Sequence, residues 1–558
     1  MTRGRAMGAV LLLAILYAGV IGLGDARAWS GSDAGGRVAT VKWMAEHHSW
    51  VPQVGYWAAE ADPGGVHHPL YHTELRGGHW VQPASLPFVV VGRVLWTLGG
   101  PRALLVLPAL GSLLAALSAR RLARAVGAPT GWAAFWLVGA AGPALFYAGD
   151  FWEHSAAVGV ALAALALLWS GDDAGPTSLA AAVAGVLAGL AVVLRTEMAI
   201  FLVALGAASL AVRGERRHWL ARRAQAAAAI GGCVATVLAA IVVDRRVLGG
   251  TGRAVRAGSS AAQAGSQLAG RAHDAVLTSV GLFADDSATA LLLGAIAVTG
   301  LVVLGWLALR PRSGSQASLL GRTVGVIGAA LVGLRATAGA GFIPGLFGAA
   351  PLAGPGAVAA AQARGDAPAE RRARVMALGA IGALPVVWAF EWRGQLLPQW
   401  GGRYVLLTGA LLTIVASVSL ERSGISSWPP AVLVASALVV GSIGAVWHIE
   451  RTRGFGRALA QIEQAPTSTV IISTITHLGR EGGAFYGDHR WLSAADPGGV
   501  QDAAALARQA DAPAIDVVTL DEGEDRRAPA VLSGYRLDGV RSVPLLGLHL
   551  RVTAYSKV

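Results

Sequence analysis

The chain has 558 residues, of which 54% are hydrophobic and 14% charged, and its mean hydropathy is +0.54. Soluble domains carry roughly 25% charged residues, so this composition excludes an ordinary soluble protein and points to a polytopic α-helical membrane protein. The net charge of +12 is almost all arginine, because Lys42 and Lys557 are the only lysines. In an apolar chain such charge sets topology, and nucleic acid is not an expected partner. The lone cysteine, Cys233, excludes an intrachain disulfide and a cysteine-based metal site.

From the start, Arg3 and Arg5 precede an apolar run that ends near Gly24, a pattern shared by signal peptides and retained first helices. Retention is expected, with a cytoplasmic N-terminus, because the run is long enough to span and Asp25-Ala-Arg-Ala-Trp is a poor cleavage site. Trp29 to Pro83 is polar and holds Ser32, Asp33, Arg37, Glu46, Glu60, Asp62, Glu74 and six of the 13 histidines. Such a stretch cannot lie in hydrocarbon, so it is expected as an outer loop where ionisable side chains meet water at a membrane face. Ala84 to Leu98, broken by Pro87 and Arg93, predicts an interfacial helix.

Further spans are expected near 103–117, 131–148, 155–169, 178–194, 196–212, 225–243, 287–309, 320–337, 340–361, 375–390, 404–420 and 429–447. With the first helix they make about 13 transmembrane helices, each near the ~20 residues a bilayer requires. Residues 178–212 are divided because one helix of that length would measure ~52 Å against a ~30 Å hydrocarbon core. Turning the chain at Arg195-Thr-Glu197 also takes two charges out of the bilayer. Arg120, Arg121, Arg124, Arg371, Arg372 and Arg374 then fall on the cytoplasmic side as expected. Arg245, Arg246, Arg253, Arg256 and Arg271 run against the rule, which marks either an anion-binding outer loop or a miscounted helix.

The composition changes near His448, which divides the chain into a transmembrane unit over 1–448 and a small soluble, extracytoplasmic α/β domain over 449–558. There Thr469 to Ile475 and Ile515 to Leu520 read as strands, with a helix from Gln501 to Ala510 between them. Ala-Asp-Pro-Gly-Gly-Val occurs at Asp62 and again at Asp496, which reads as a shared turn signal.

An early Ser-Gly-Ser-Asp33-Ala-Gly-Gly-Arg in the first outer loop is followed by His68-Pro69-Leu-Tyr. Asp150-Phe-Trp-Glu153-His154-Ser opens the fourth span, Arg195-Thr-Glu197 follows a later one, and Gly-Gly-Arg403-Tyr404 opens a late one. In this order and placement the residues resemble the glycosyltransferase C superfamily, which includes protein mannosyltransferases and lipid A aminoarabinose transferases. The resemblance covers most of residues 1–450. It implies an enzyme of the cytoplasmic membrane that moves a sugar, with inversion, from a polyprenyl-phosphate donor to a glycan, lipid or protein acceptor on the outer face. It also implies that Asp33 is the catalytic base or a metal ligand. Many members follow that aspartate with a glutamate, and here the next residue is Ala34.

The chemistry is compatible with the resemblance. A carboxylate such as Asp33 can take the proton of an attacking hydroxyl, and Arg195 or Arg403 can stabilise a departing lipid phosphate. Each residue has a plainer reading too. Asp33 can cap a helix starting at Ala34. Asp150 and Glu153, one helical turn apart, can share a site or simply enrich a helix N-terminus in acid. Arg195 with Glu197 can be an ion pair fixing a turn, and Arg403 an interfacial anchor. His67, His68 and His72 with Glu74 offer donors for a divalent metal, although no spacing matches a zinc pattern. Trp29, Trp43, Trp50, Trp57 and Trp80 read as an aromatic belt. A transporter or flippase of a lipid-linked substrate would share the many spans, but would place its ionisable site near the midplane.

Overall fold

The computed structural model describes residues 3–29, 31–169, 176–212, 222–249, 268–281, 287–309, 326–330, 332, 343–363, 365, 367–390, 400–423, 428–521 and 528–558. Helix α1 (Arg3–Leu23) leads into the polar loop, whose main element is α2 (Ser32–Glu46). A two-stranded ribbon follows, β1 (Glu74–Arg76) with β2 (His79–Val81). Next comes α3 (Leu86–Leu104), which runs on past the expected interfacial stretch through a kink where Gly100 adopts φ 63° ahead of Pro101.

The bundle continues with α4 (Val106–Ala125), α5 (Trp132–Gly139), α6 (Pro143–Tyr147), α7 (Glu153–Leu168), α8 (Ser178–Leu194), α9 (Glu197–Ala211) and α10 (Arg223–Leu248). Then come α11 (Leu268–Val280), α12 (Ala288–Leu309), α13 (Leu346–Ala349), α14 (Ala353–Gln362), α15 (Pro368–Phe390), α16 (Leu406–Ser423) and α17 (Trp428–Ile462). Among the described residues six helices are long and apolar enough to cross a membrane, and four more apolar helices are shorter. The expectation of about 13 uniform spans is therefore not met among those residues. Expected spans 131–148 and 340–361 are each split into two helices, at Gly142-Pro143 and near Pro351, where ring and glycine interrupt the helical ladder. The expected span 320–337 lies largely outside the described residues.

Small residues let the helices approach closely. A Cβ on Gly111 would stand 2.5 Å from the Ala156 backbone, so α4 and α7 meet without side chains between them. On α10, by contrast, Ile230, Val234, Leu238 and Val242 are all exposed. A contiguous apolar face of this kind needs an apolar environment, and with the six long helices it identifies an integral, polytopic membrane protein.

Beyond α17 the chain forms a five-stranded mixed sheet of order β4-β3-β5-β7-β6. Its strands are β3 (Val470–Ser473), β4 (Arg490–Ser493), β5 (Ala514–Leu520), β6 (Tyr535–Leu545) and β7 (Leu548–Lys557). The two expected strands, β3 and β5, run parallel as neighbours, but the short α18 (Leu478–Glu481) and an unexpected strand, β4, come between them before α19 (Pro497–Gln509), so α19 links β4 to β5. The antiparallel hairpin β6–β7 was not expected. Of the two Asp-Pro-Gly-Gly segments, expected as a shared turn signal, the one at Asp62 makes a turn and the one at Asp496 opens a helix. Asp496 caps α19 by accepting from Gly499 N at 2.8 Å, and Asp62 accepts from Val66 N, His67 N and the Tyr56 hydroxyl. The composition change at His448 falls inside α17, which continues to Ile462 and carries the chain under the sheet.

The first loop and the C-terminal sheet form one packed body. Val54, Tyr56, Leu70 and Trp80 share an apolar cluster with Val470, Leu492 and Ile515. Trp57 Nε1 donates to Trp491 O at 3.0 Å, and Ser493 N donates to His67 O at 2.9 Å. Of the tryptophans expected to form a belt, Trp29 and Trp80 are buried in this body instead.

Candidate functional site

Helix α2 begins after Gly31, whose extended backbone offers no side chain for capping, so Asp33 is left in the first turn rather than at the cap. The helix dipole favours an acid there, but the carboxylate turns to more distant partners. Its Oδ1 lies 2.7 Å from Arg480 Nη2 on α18 and its Oδ2 lies 3.3 Å from Arg403 Nη1. One turn on, Arg37 Nη1 donates to the Asp33 carbonyl at 2.6 Å, while its Nε pairs with Glu153 Oε1 at 2.7 Å. Glu153 opens α7 and also accepts from Ser85 N at 3.1 Å.

Arg403 stands in a short 3₁₀ turn entered through Gly401 (φ 75°) and Gly402 (φ 61°), a left-handed pair that only glycine adopts without strain. The turn brings its guanidinium 5.0 Å from the Trp152 ring and 4.5 Å from the Tyr404 ring. Arg195 also approaches the Tyr404 ring, at 5.3 Å. Its Nε donates to Glu197 Oε1 at 2.8 Å, and His154 Nδ1 lies 3.5 Å from the same oxygen. Asp33, Glu153, His154, Arg195, Glu197, Arg403 and Tyr404 thus belong to one contiguous cluster. Asp150 is buried beside Gly31, but it precedes α7, so the helical spacing expected for Asp150 and Glu153 does not apply.

Burial by itself would raise the Asp33 carboxyl, but Arg480, Arg403 and Arg37 outweigh it and hold the group well below the usual carboxylate range. Its side chain keeps 20% exposure while Arg480 has 1% and Arg403 5%, so Asp33 is the most accessible side chain of this trio. Guanidiniums converging on one carboxylate form the type of donor array that also receives a phosphate.

The histidines are dispersed. His67 Nδ1 faces Ser493 O at 2.9 Å. His68 accepts from Leu70 N between the rings of Tyr56 and Trp80, and burial pushes its pKa down to about 3. Glu74 is exposed and pairs with Arg76 at 2.5 Å. Among the described residues no group of three or more His, Cys, Asp or Glu can hold a metal ion. Of the arginines expected on the outer side, Arg271 donates to Ala389 O at 2.6 Å at the end of α15, Arg245 and Arg246 lie in the last turn of α10, and Arg253 and Arg256 lie outside the described residues.

Arg480 is the member of this cluster that sequence reasoning missed. A signal for it was present in Gly35-Gly36: a Cβ on Gly35 would stand 1.6 Å from Arg480 O, and one on Gly36 2.7 Å from Gln82 Oε1. The paired glycines leave the space into which the C-terminal unit reaches.

No family model and no curated protein matches the chain. Among solved structures it is similar to ArnT from Cupriavidus metallidurans in the apo state, with a TM-score of 0.51 and 15% identity over 98% of both chains. The chain has the fold of that structure. The same ArnT bound to undecaprenyl phosphate matches with a TM-score of 0.43 and 16% identity, again over 98% of both chains. The Archaeoglobus fulgidus oligosaccharyltransferase in complex with zinc and sulfate matches with a TM-score of 0.45 and 13% identity, over 91% of this chain and 67% of that one. In this fold, α2 and the turn at Arg403 meet at Asp33, although Asp33 and Arg403 lie 370 positions apart in sequence.

Proposed function

We propose that the protein transfers a glycosyl group from a polyprenyl-phosphate donor to an acceptor hydroxyl or amine at the extracytoplasmic face of the cytoplasmic membrane, with inversion. The observation that carries this reading is Asp33, a partly exposed carboxylate held by Arg480 and Arg403 at the junction of a membrane bundle and a polar body. Fold likeness to ArnT agrees with it.

In the proposed reaction the acceptor oxygen or nitrogen bonds to the anomeric carbon as the carbon–oxygen bond to phosphate breaks. The electron pair leaves with the polyprenyl phosphate, and the acceptor proton goes to Asp33. While both guanidiniums sit on it, Asp33 is a weak base. Phosphate drawing Arg403 and Arg195 toward itself stabilises the leaving group and loosens the hold on Asp33, which raises its proton affinity when the proton must be taken. A small apolar-walled cavity of about 40 Å³ beside Tyr147, lined by Leu137, Val138, Leu352 and Leu406, marks where the isoprenoid end of such a donor would open the bundle.

A metal does not fit these residues. Ala34 stands where a second carboxylate would be, and both Asp33 oxygens already face arginine.

The test is turnover of purified protein on a panel of undecaprenyl-phosphate-linked sugars, read by mass spectrometry of the released lipid phosphate. Asp33→Asn is expected to lose about 10²- to 10⁴-fold in rate, the usual share of a general base. Equal turnover in the two proteins would remove Asp33 from the mechanism.

A further inference from the structure

The seam between α2 and the C-terminal unit is made by backbone approaching backbone. A Cβ on Gly35 would collide with Arg480 O at 1.6 Å, and one on Gly483 would stand 2.7 Å from the Trp29 ring and 3.1 Å from Gly35 Cα. Trp29 N donates to Glu481 O and Ala484 N to Arg27 O, both at 3.2 Å. Lys42, near the far end of α2, donates to Ala484 O at 2.9 Å and pairs with Asp488 at 2.5 Å. Trp29 and Lys42 thus fasten the seam at both ends of α2, and between them it delivers the buried guanidinium of Arg480 to the site.

We propose that Arg480 is a positioning residue through which the C-terminal unit, once seated on α2, aims the Asp33 carboxylate. The inference rests on the role given to Asp33 above.

A buried guanidinium is costly unless it is paired, so the contact is specific rather than incidental. It is also the shorter of the two side-chain contacts to Asp33, at 2.7 Å against 3.3 Å for Arg403. Three further groups act on the carboxylate: Arg37 from its own helix, Arg403 from the turn before α16, and His477 at the start of α18. With Arg480 gone, Arg37 and Arg403 would remain, so Asp33 would stay largely ionised at neutral pH but rotate and bind protons more tightly. An opposite charge at this distance shifts carboxylate proton affinity by roughly tenfold to a thousandfold. A C-terminal unit that served only to support the fold would change neither orientation nor affinity.

The experiment is infrared spectroscopy of the full chain in lipid nanodiscs with carbon-13 aspartate, the Asp33 band being assigned by subtraction of Asp33→Asn. At pH 7, Arg480→Gln is expected to displace the carboxylate stretch, and at pH 4 to show at least about tenfold more protonated carboxyl than wild type. Arg480→Lys should restore most of the wild-type spectrum. Gly35→Ala, which keeps Arg480 but pushes its turn away, should shift the band as Arg480→Gln does, and it decides the matter if Arg480→Gln does not fold. An unmoved Asp33 band in the folded variants overturns the proposal. Because this readout needs no turnover, its failure is separate from an active Asp33→Asn enzyme, which would instead sink the proposed function.

Discussion

Asp33 and Glu197 are both carboxylates held by arginine, yet they are held in opposite ways. Glu197 is fully buried and meets Arg195 two residues away, in the turn between α8 and α9. Asp33 keeps 20% exposure and takes its guanidiniums from positions 370 and 447 residues along the chain. The Glu197 pair forms with its turn and is a local brace. The Asp33 array exists only when loop, bundle and C-terminal sheet are assembled, so one carboxylate reports stability and the other reports completion of the site.

The contrast is broken most directly by exchanging the effects. Asp33→Asn should abolish most turnover on lipid-linked sugars while leaving thermal unfolding, followed by intrinsic fluorescence, close to wild type, because the amide still accepts from Arg480. Glu197→Ala should destabilise by about 3–5 kcal/mol, since it strands buried Arg195 without its partner. If Glu197→Ala unfolded like wild type, the two sites would not differ as described.

Smaller changes sharpen the comparison. Gly35→Ala should cost about 1–3 kcal/mol by overpacking and should expose the seam to limited proteolysis near Arg480. Cleavage unchanged from wild type would mean that the seam tolerates a side chain. Glu463, just beyond α17, has its pKa pushed by burial to about 7. The folded chain binds that proton more tightly than the unfolded chain, so the associated stability is complete below about pH 4.5 and is lost as pH rises through about 7. Glu481 is raised to about 7 by burial and adds with the same sign. Melting temperature should therefore fall between pH 5 and pH 8, and Glu463→Gln should remove part of that slope.

What could be read beforehand follows the same division. Apolar runs announced most helices, and α8 ends at Leu194 where the expected turn begins. Arg195 and Glu197 were legible because their pairing is decided within three residues. Asp33, Arg403 and Tyr404 were legible through resemblance, but their partners were not, because neither periodicity nor charge pattern encodes which distant arginine reaches which acid. Asp150 and Glu153 were placed on one helix by spacing, whereas the chain is still irregular at Asp150 and becomes helical only at Glu153. His67, His68 and Glu74 are close in sequence but point to different neighbours, since a turn-rich loop scatters adjacent side chains. Arg480 lay in a segment whose composition says only that it is soluble.

Helix α17 sets a height. Its 35 residues run without a break from Trp428 to Ile462, which at 1.5 Å per residue is ~52 Å against a hydrocarbon layer of ~30 Å. Roughly 20 Å of rigid rod is left to stand clear of the lipid and carry the sheet, so the level at which the C-terminal unit meets α2 is measured out by residue count. One inserted alanine near His448 would lift the sheet by about 1.5 Å and swing it by about 100°. Evolution can therefore vary the loops of this protein far more freely than the length of this one strut.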